Sequence, residues 1–553
     1  MKNSAILIVN LGSSDLAVKI DGYYIPVGFD RNEPNLDDSG LDDNEKAMWE
    51  QELRRSYITE ELCPELGVEV DRGRFSFREL TRRILEEYEK DEALWHSRIR
   101  PNRLWGVIRA AQQKFDEIGL ETVYLFATDQ PEFIEDRKTG EQKKNRGYDT
   151  DTIHLFDILQ KWLQKEAPKL QLEKQVIPSG ISPVEQDKLL DYYYRFFLRE
   201  IPPDGTMLVA IKGGTPQMQT ALRMQAIASL TPKQLFVEPK LVVKRLLAGE
   251  PSECRVTSYW QYVRNQKYAS VRTLLETRWD FGGAIDILKD WLTLLKFWEK
   301  YIDDAELSVN KELISRIIKT LQIGEYCLNF DIDAARSVWL GKDGFENEQL
   351  RIMFSRRVVK EVKDDERLLN IYTQCRLNWE LDRAASFLSL ILSFYEVVLY
   401  QLSKILGCID EFPQNSGRFD KRDFIDAEVR SCQNLGELEI EAWEDILQCL
   451  KGFDFWCALR NQLIHSAEGI SKKRMQEVFQ SRDLPENNVG YYDRLNNQNA
   501  CSPQEILENM EEILSSNLGL VRPQYLRQFT SENSDYYIYS AVKNWTIEQL
   551  LKV

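Results

Sequence analysis

The fold turns on one stretch, Met207-Leu-Val-Ala-Ile211 running directly into Lys212-Gly-Gly-Thr-Pro-Gln-Met218. Five apolar residues make a strand, and the next seven make a turn that opens a helix. The paired glycines let backbone N–H groups approach a ligand, Thr215 suits an N-cap, and Pro216 suits the first helical position, where no N–H is needed. A helix N-terminus presented in this way attracts phosphate or another anion. The spacing is neither the GxxxxGK[ST] of a Walker loop nor the GxGxxG of a dinucleotide binder. Taken alone, the segment suits a ligand turn and an ordinary structural turn almost equally.

Working outward, Ala5 to Leu11, Thr122 to Phe126, Gln175 to Ile177 and residues 235–237 read as further strands, each followed by a turn signal. Between them, Leu104 to Ile118 and Pro183 to Phe197 carry apolar residues at helical spacing, the first stopping at Gly119. This alternation predicts a Rossmann-like parallel sheet flanked by helices over residues 1–250. The first strand ends in Gly12-Ser13-Ser14 and the second in Thr128-Asp129-Gln130. In an open parallel sheet, ligands sit beyond the carboxyl ends of the strands, so these segments are expected to converge with Lys212 to Met218 on one site. Plain β-to-α turns with capping hydroxyls remain the alternative for each separately.

Beyond about residue 255 glycine thins out and amphipathic runs take over. Helices are expected at Tyr268 to Trp279, Ala284 to Tyr301, Lys311 to Leu321, Leu368 to Leu402, Glu437 to Leu450 and Gln504 to Leu514, the last introduced by Ser502 and Pro503. Asp410 to Arg430 and Asp483 to Cys501 read as loops. The expected organisation is therefore α/β followed by all-α: a sheet domain over 1–250, a helical connector over 251–367 and a helical domain over 368–553. Residues 30–52 hold nine acidic residues against Arg31 and Lys46, and read as a solvated surface insertion.

The 553 residues are 43% hydrophobic, enough for several real cores, and carry a net charge of −17. So acidic a chain is not expected to coat nucleic acid or bind DNA stably. The nine cysteines are scattered without a CxxC or Cys/His cluster, which points to free thiols, a cytoplasmic setting and no metal. The greasiest stretch, Leu388 to Leu402, is interrupted by Glu396 and falls short of the roughly 20 apolar residues of a spanning helix, so no membrane is expected.

In the helical half, Arg460-Asn461-Gln462-Leu463-Ile464-His465 follows an aromatic-rich run, in a chain with only three histidines. Arginine can stabilise charge on a phosphorane while imidazole transfers protons near neutrality. RNA supplies its own 2′-hydroxyl nucleophile, so such a pair suits metal-free phosphodiester cleavage. Residues five apart on a regular helix lie about 140° from each other. A shared site therefore needs a helix end, a kink or a second chain; a hydrogen-bonded core histidine is the alternative.

An N-terminal strand ending in Gly12-Ser13-Ser14, a Lys-Gly-Gly-Thr-Pro-Gln-Met turn and an RNxxxH segment in a helical C-terminus together resemble the CARF-HEPN ancillary ribonucleases of type III CRISPR systems. The resemblance implies a CARF domain that binds cyclic oligoadenylate across a homodimer axis, with the tetra-adenylate expected over the hexa-adenylate, and no cofactor. It implies that Gly12, Ser13, Ser14, Thr128, Asp129, Gln130, Lys212, Gly213, Gly214, Thr215, Gln217 and Met218 border this activator. It also implies that Arg460, Asn461 and His465 of paired HEPN domains cut single-stranded RNA, giving 2′,3′-cyclic phosphates. Glu396 resembles the acidic residue that HEPN helices often place near the arginine; its apolar surroundings call for a partner, with Arg460 one candidate. A non-catalytic cyclic-nucleotide sensor that relays binding to a partner remains the alternative.

Overall fold

The computed structural model describes residues 5–28, 36–37, 39–135, 140–145, 147–340, 364–434, 441–466, 469–481, 499–521 and 537–552. The chain divides into two compact units, Met1–Asn265 with Thr293–Val309, and Gln266–Leu292 with Asn310–Val553. The stretch 251–367, expected as a connector, contributes to both, and its residues 341–363 lie outside the described residues.

In chain order the strands are β1 (Ala5–Asn10), β2 (Ala17–Ile20), β3 (Tyr23–Pro26), β4 (Leu36–Asp37), β5 (Ile99–Arg100), β6 (Leu120–Thr128), β7 (Phe133–Glu135), β8 (Gln142–Lys144), β9 (Gln171–Ile177), β10 (Thr206–Ala210), β11 (Lys233–Val242) and β12 (Glu253–Thr257). The main sheet runs β12-β11-β10-β1-β6-β9, with β4 beside β11. β1 pairs in parallel with both β10 and β6, placing Leu7 against Leu208 and Val123, and β12 closes one edge antiparallel to β11. All three of those central residues are fully buried. Apolar residues run through the central strands without alternation because helices cover the sheet. On one face, Ile8, Phe126, Val209 and Phe236 pack with Leu189, Tyr193 and Phe196 of helix Gln186–Glu200 and with Met218 and Leu222 of helix Pro216–Ala228.

This is a doubly wound sheet. The chain builds outward from β1 to β6 and β9, then crosses to the other side of β1 for β10 and β11, so strand order reverses between β1 and β10.

The five expected strands are present, and β9 begins earlier than its apolar part because half-exposed edge positions admit the polar Gln171 to Gln175. Helix Asn102–Lys114 is followed by a turn that closes where Gly119 N–H donates to Phe115 O at 2.7 Å. The small sheet β3-β2-β5 and the helices Phe77–Lys90 and Ile153–Glu166 were not anticipated.

The described part of the acidic segment keeps Asp42, Asp43 and Glu50 exposed and is anchored at a few points. Residues 30–35 and 38 lie outside the described residues, but β4 pairs with Leu241 and Val242, and Asp37 meets Lys240 at 2.9 Å. Asp42 caps helix Asp43–Trp49 through a reciprocal bond with Glu45. The segment is thus tied to the end of β11, and Lys240 answers the charge of Asp37.

In the helical unit the expected helix Leu368 to Leu402 is two helices, Asp364–Glu380 and Ala384–Ile405, broken where Asp382 adopts φ 54°. Asp410 to Arg430, read as a loop, contains most of helix Arg418–Asn434. Its buried stripe of Arg418, Phe419, Lys421, Arg422, Ile425 and Val429 is half cationic, which hid the helical period from an apolar count. Residues 483–498 of the other expected loop lie outside the described residues. Gln504 is the N-cap residue of helix Glu505–Ser515, and in the turn before it Ser502 Oγ accepts from Glu505 N–H. Helix Ala384–Ile405 has the length and composition to cross a membrane, yet Phe387, Leu388, Ile391, Phe394 and Leu402 are fully buried in its own unit.

Candidate functional site

The reversal of strand order between β1 and β10 opens a cleft beyond the carboxyl ends of the strands. Leu11, Gly12 and Ser13 follow β1, Thr128 ends β6, and Gly214, Thr215 and Met218 follow β10; all line one open cleft of about 550 Å³. Three segments more than 80 residues apart in sequence thus line one cleft.

The glycine turn is forced. Gly213 has φ 112°, and a Cβ there would lie 1.9 Å from Asn10 O; Gly214 has φ 69°, and a Cβ there would lie 3.0 Å from the Met218 thioether. Both positions require glycine. Thr215 caps helix Pro216–Ala228, its Oγ1 accepting from Met218 N–H at 3.2 Å and donating to Pro183 O. Its single hydroxyl proton is thereby committed within the protein, so Thr215 presents to the cleft no hydroxyl free to donate. What the turn offers a ligand is backbone N–H and the positive end of a 13-residue helix.

Opposite lies a wall that the sequence did not reveal: Gly147, Thr150, Asp151 and Thr152. Thr128 and Thr152 exchange bonds, each backbone N–H donating to the other's hydroxyl, at 3.0 and 3.2 Å. Asp151 is buried; its Oδ2 accepts from Gln130 N–H and, at 3.0 Å, from Arg78 Nη1. Burial pushes its carboxyl above the ordinary range, with the Gln130 N–H and Arg78 opposing.

The other expected site residues fall around the cleft. Asp129 pairs with Arg78 at 2.8 Å, Gln130 is buried and donates its side-chain amide to Ile181 O, and Lys212 Nζ reaches Pro239 O at 3.4 Å. Gly213 forms the floor of the turn against Asn10; Gln217 is half-buried in the first turn of the helix, and Ser14 lies in the short turn Ser13–Asp15. None of these six is among the residues lining the cleft. Arg78 and Asp151 lie 73 residues apart and were invisible to local pattern reading.

In the helical unit, Arg460 and Asn461 sit on the 26-residue helix Glu441–Ser466, with Arg460 Nη1 donating to Asn461 Oδ1 at 3.1 Å. Arg460 Nε is buried and has no hydrogen-bond partner among the described residues. His465 lies one residue from the helix end, and its side chain is outside the described residues. Glu396 does not take Arg460 as partner. Lys421 of helix Arg418–Asn434 holds its carboxylate, a partner supplied by the segment read as a loop. On helix Glu441–Ser466, Asp454 accepts from Arg418 Nε at 3.1 Å and from Arg422, which also donates to Tyr395 Oη at 2.8 Å. Buried Cys457 feels Arg418, Asp454, Glu396 and Arg460 together; burial pushes its thiol up to about 12.

Fold and cleft define the chain as a doubly wound α/β unit with an open cleft at its switch point, followed in sequence by a mostly helical unit. No protein-family model matches the chain, and no curated protein matches it. Among solved structures, Csm6 of Enterococcus italicus, bound to cyclic hexa-2′-fluoro-hexa-dAMP, is similar over 82% of this chain and 96% of that one, at 12% identity and a TM-score of 0.45.

Proposed function

We propose that the protein is a CARF-HEPN ribonuclease: a cyclic oligoadenylate bound at the switch-point cleft turns on metal-independent cleavage of single-stranded RNA in type III CRISPR defence. The observation that supports this reading is the meeting of Gly12-Ser13, Thr128 and Gly214-Thr215-Met218 in one cleft. Glycine-turn amides and a helix N-terminus suit the phosphates of a small cyclic RNA, which explains how so acidic a protein takes a nucleotide ligand. The cleft belongs to one chain; a homodimer would set two of them across its axis and enclose the ring.

For cleavage, Asn461 orients the Arg460 guanidinium, whose planar fork of donors suits a scissile phosphate. His465 takes the proton of the RNA 2′-hydroxyl as it attacks phosphorus, and the 5′-oxygen of the next nucleotide leaves, receiving a proton in turn. The products are a 2′,3′-cyclic phosphate and a 5′-hydroxyl. Each chain carries one RNxxxH segment, so one set from each subunit would complete the site.

The test is labelled single-stranded RNA incubated with the protein in EDTA, with cyclic tetra-adenylate, cyclic hexa-adenylate or neither. Ring-stimulated cutting that Arg460→Ala and His465→Ala abolish is the expected result. No stimulation by either ring, or undiminished cutting by His465→Ala, overturns the reading.

A further inference from the structure

Beneath the cleft lies an ion pair that the proposed function does not use. Arg103, on helix Asn102–Lys114, and Asp15, in the turn after β1, have side chains only 5% and 0% exposed. Arg103 Nε donates to Asp15 Oδ1 at 2.5 Å, Nη2 donates to Asp15 Oδ2, and Nη2 also lies 3.4 Å from Asn10 O. Asp15 Oδ2 in turn accepts Gly12 N–H at 2.8 Å. The same guanidinium closes the floor under the second turn: a Cβ on Gly213 would lie 2.6 Å from Nη2, and one on Gly12 would lie 3.1 Å from Gly214 N.

We infer that Arg103 is a positioning residue for the anion-binding turns, setting the Gly12–Asp15 and Lys212–Thr215 segments against each other while touching no ligand itself. A buried ion pair is a poor way to stabilise a core, since apolar residues of similar volume often do as well or better. Its distinctive property is geometry. A planar fork fixes Asp15, Asp15 fixes the Gly12 N–H, and the fork fills the space a side chain on Gly213 would need. Binding amides must be held to about 0.5 Å, and only an oriented contact under both turns does this. Because the pair is neutral, it adds direction and no net charge.

This rests on the cleft being the ligand site. The experiment measures binding of cyclic tetra-adenylate, cyclic hexa-adenylate and inorganic pyrophosphate by titration calorimetry to three full-length proteins: wild type, the apolar swap Arg103→Met with Asp15→Leu, and Arg103→Lys. Thermal melts check folding. The expected result is a folded swap that binds about tenfold or more weakly, with the salt dependence of binding unchanged, and a lysine variant in between. A direct phosphate contact would instead lower the salt slope by about 1. A folded swap that binds like wild type overturns the inference; so does a changed salt slope. Should the swap not fold, the lysine variant decides: wild-type binding by it overturns the inference, and weakened binding at an unchanged melt supports it. If wild type binds neither ring, the functional reading fails, and the pyrophosphate titrations of the same variants decide on Arg103 separately.

Discussion

At the scale of single residues, the glycines of the turn make the sharpest prediction. Gly214→Val forces a β-branched residue to φ 69° with a Cβ against Met218. Binding of the cyclic ring should fall below detection by calorimetry, while the helical unit's share of the thermal transition stays in place. At the other site, Arg460→Ala and His465→Ala should each lower the RNA cleavage rate by about 10²–10⁴-fold and leave ring affinity unchanged, as read by single-turnover gels beside calorimetry. Gly213, Gly214 and Thr215 were legible in sequence because a strand, two glycines and Thr-Pro dictate a local geometry. Arg78, Asp151, Asp15 and Arg103 were not, since each matters through a partner 51 to 88 residues away.

At the scale of elements, helix Arg418–Asn434 is where sequence reading failed and structure adds most. Apolar periodicity finds helices that bury leucine; this one buries Arg418, Lys421 and Arg422 on the face that meets Tyr395, Glu396 and Asp454. A helix whose inward stripe is cationic looks like a solvated loop until its acidic partners are known. Asp454→Ala would leave Arg418 and Arg422 buried without their carboxylate. The helical unit should lose about 3–5 kcal/mol, seen in urea unfolding followed by tryptophan fluorescence. Asp454→Asn, which keeps the shape, should lose less. The parallel strands, by contrast, were readable because each is a short apolar run closed by a turn signal, and their order was not, because nothing local records which strands are neighbours.

At the scale of the whole molecule, the reading that one RNxxxH set comes from each subunit predicts a mixing effect. Wild type equilibrated with an excess of His465→Ala should lose ring-stimulated activity in step with the fraction of wild-type homodimer, falling as the square of the wild-type fraction. A linear fall would show that each chain cuts alone. The sheet topology bears on how the chain reaches its native state at all. β1 precedes both of its partner strands in the chain and lies between them, with Ala5 opposite both Leu120 and Thr206. No neighbour in sequence can complete its hydrogen bonding. A nascent chain shorter than about Thr206 therefore carries a buried-type strand, AILIVN, with one edge open. Such long-range closure slows folding and exposes the strand to other chains while it waits. Expression yield should consequently respond more to temperature and chaperone supply during synthesis than to the stability of the finished protein.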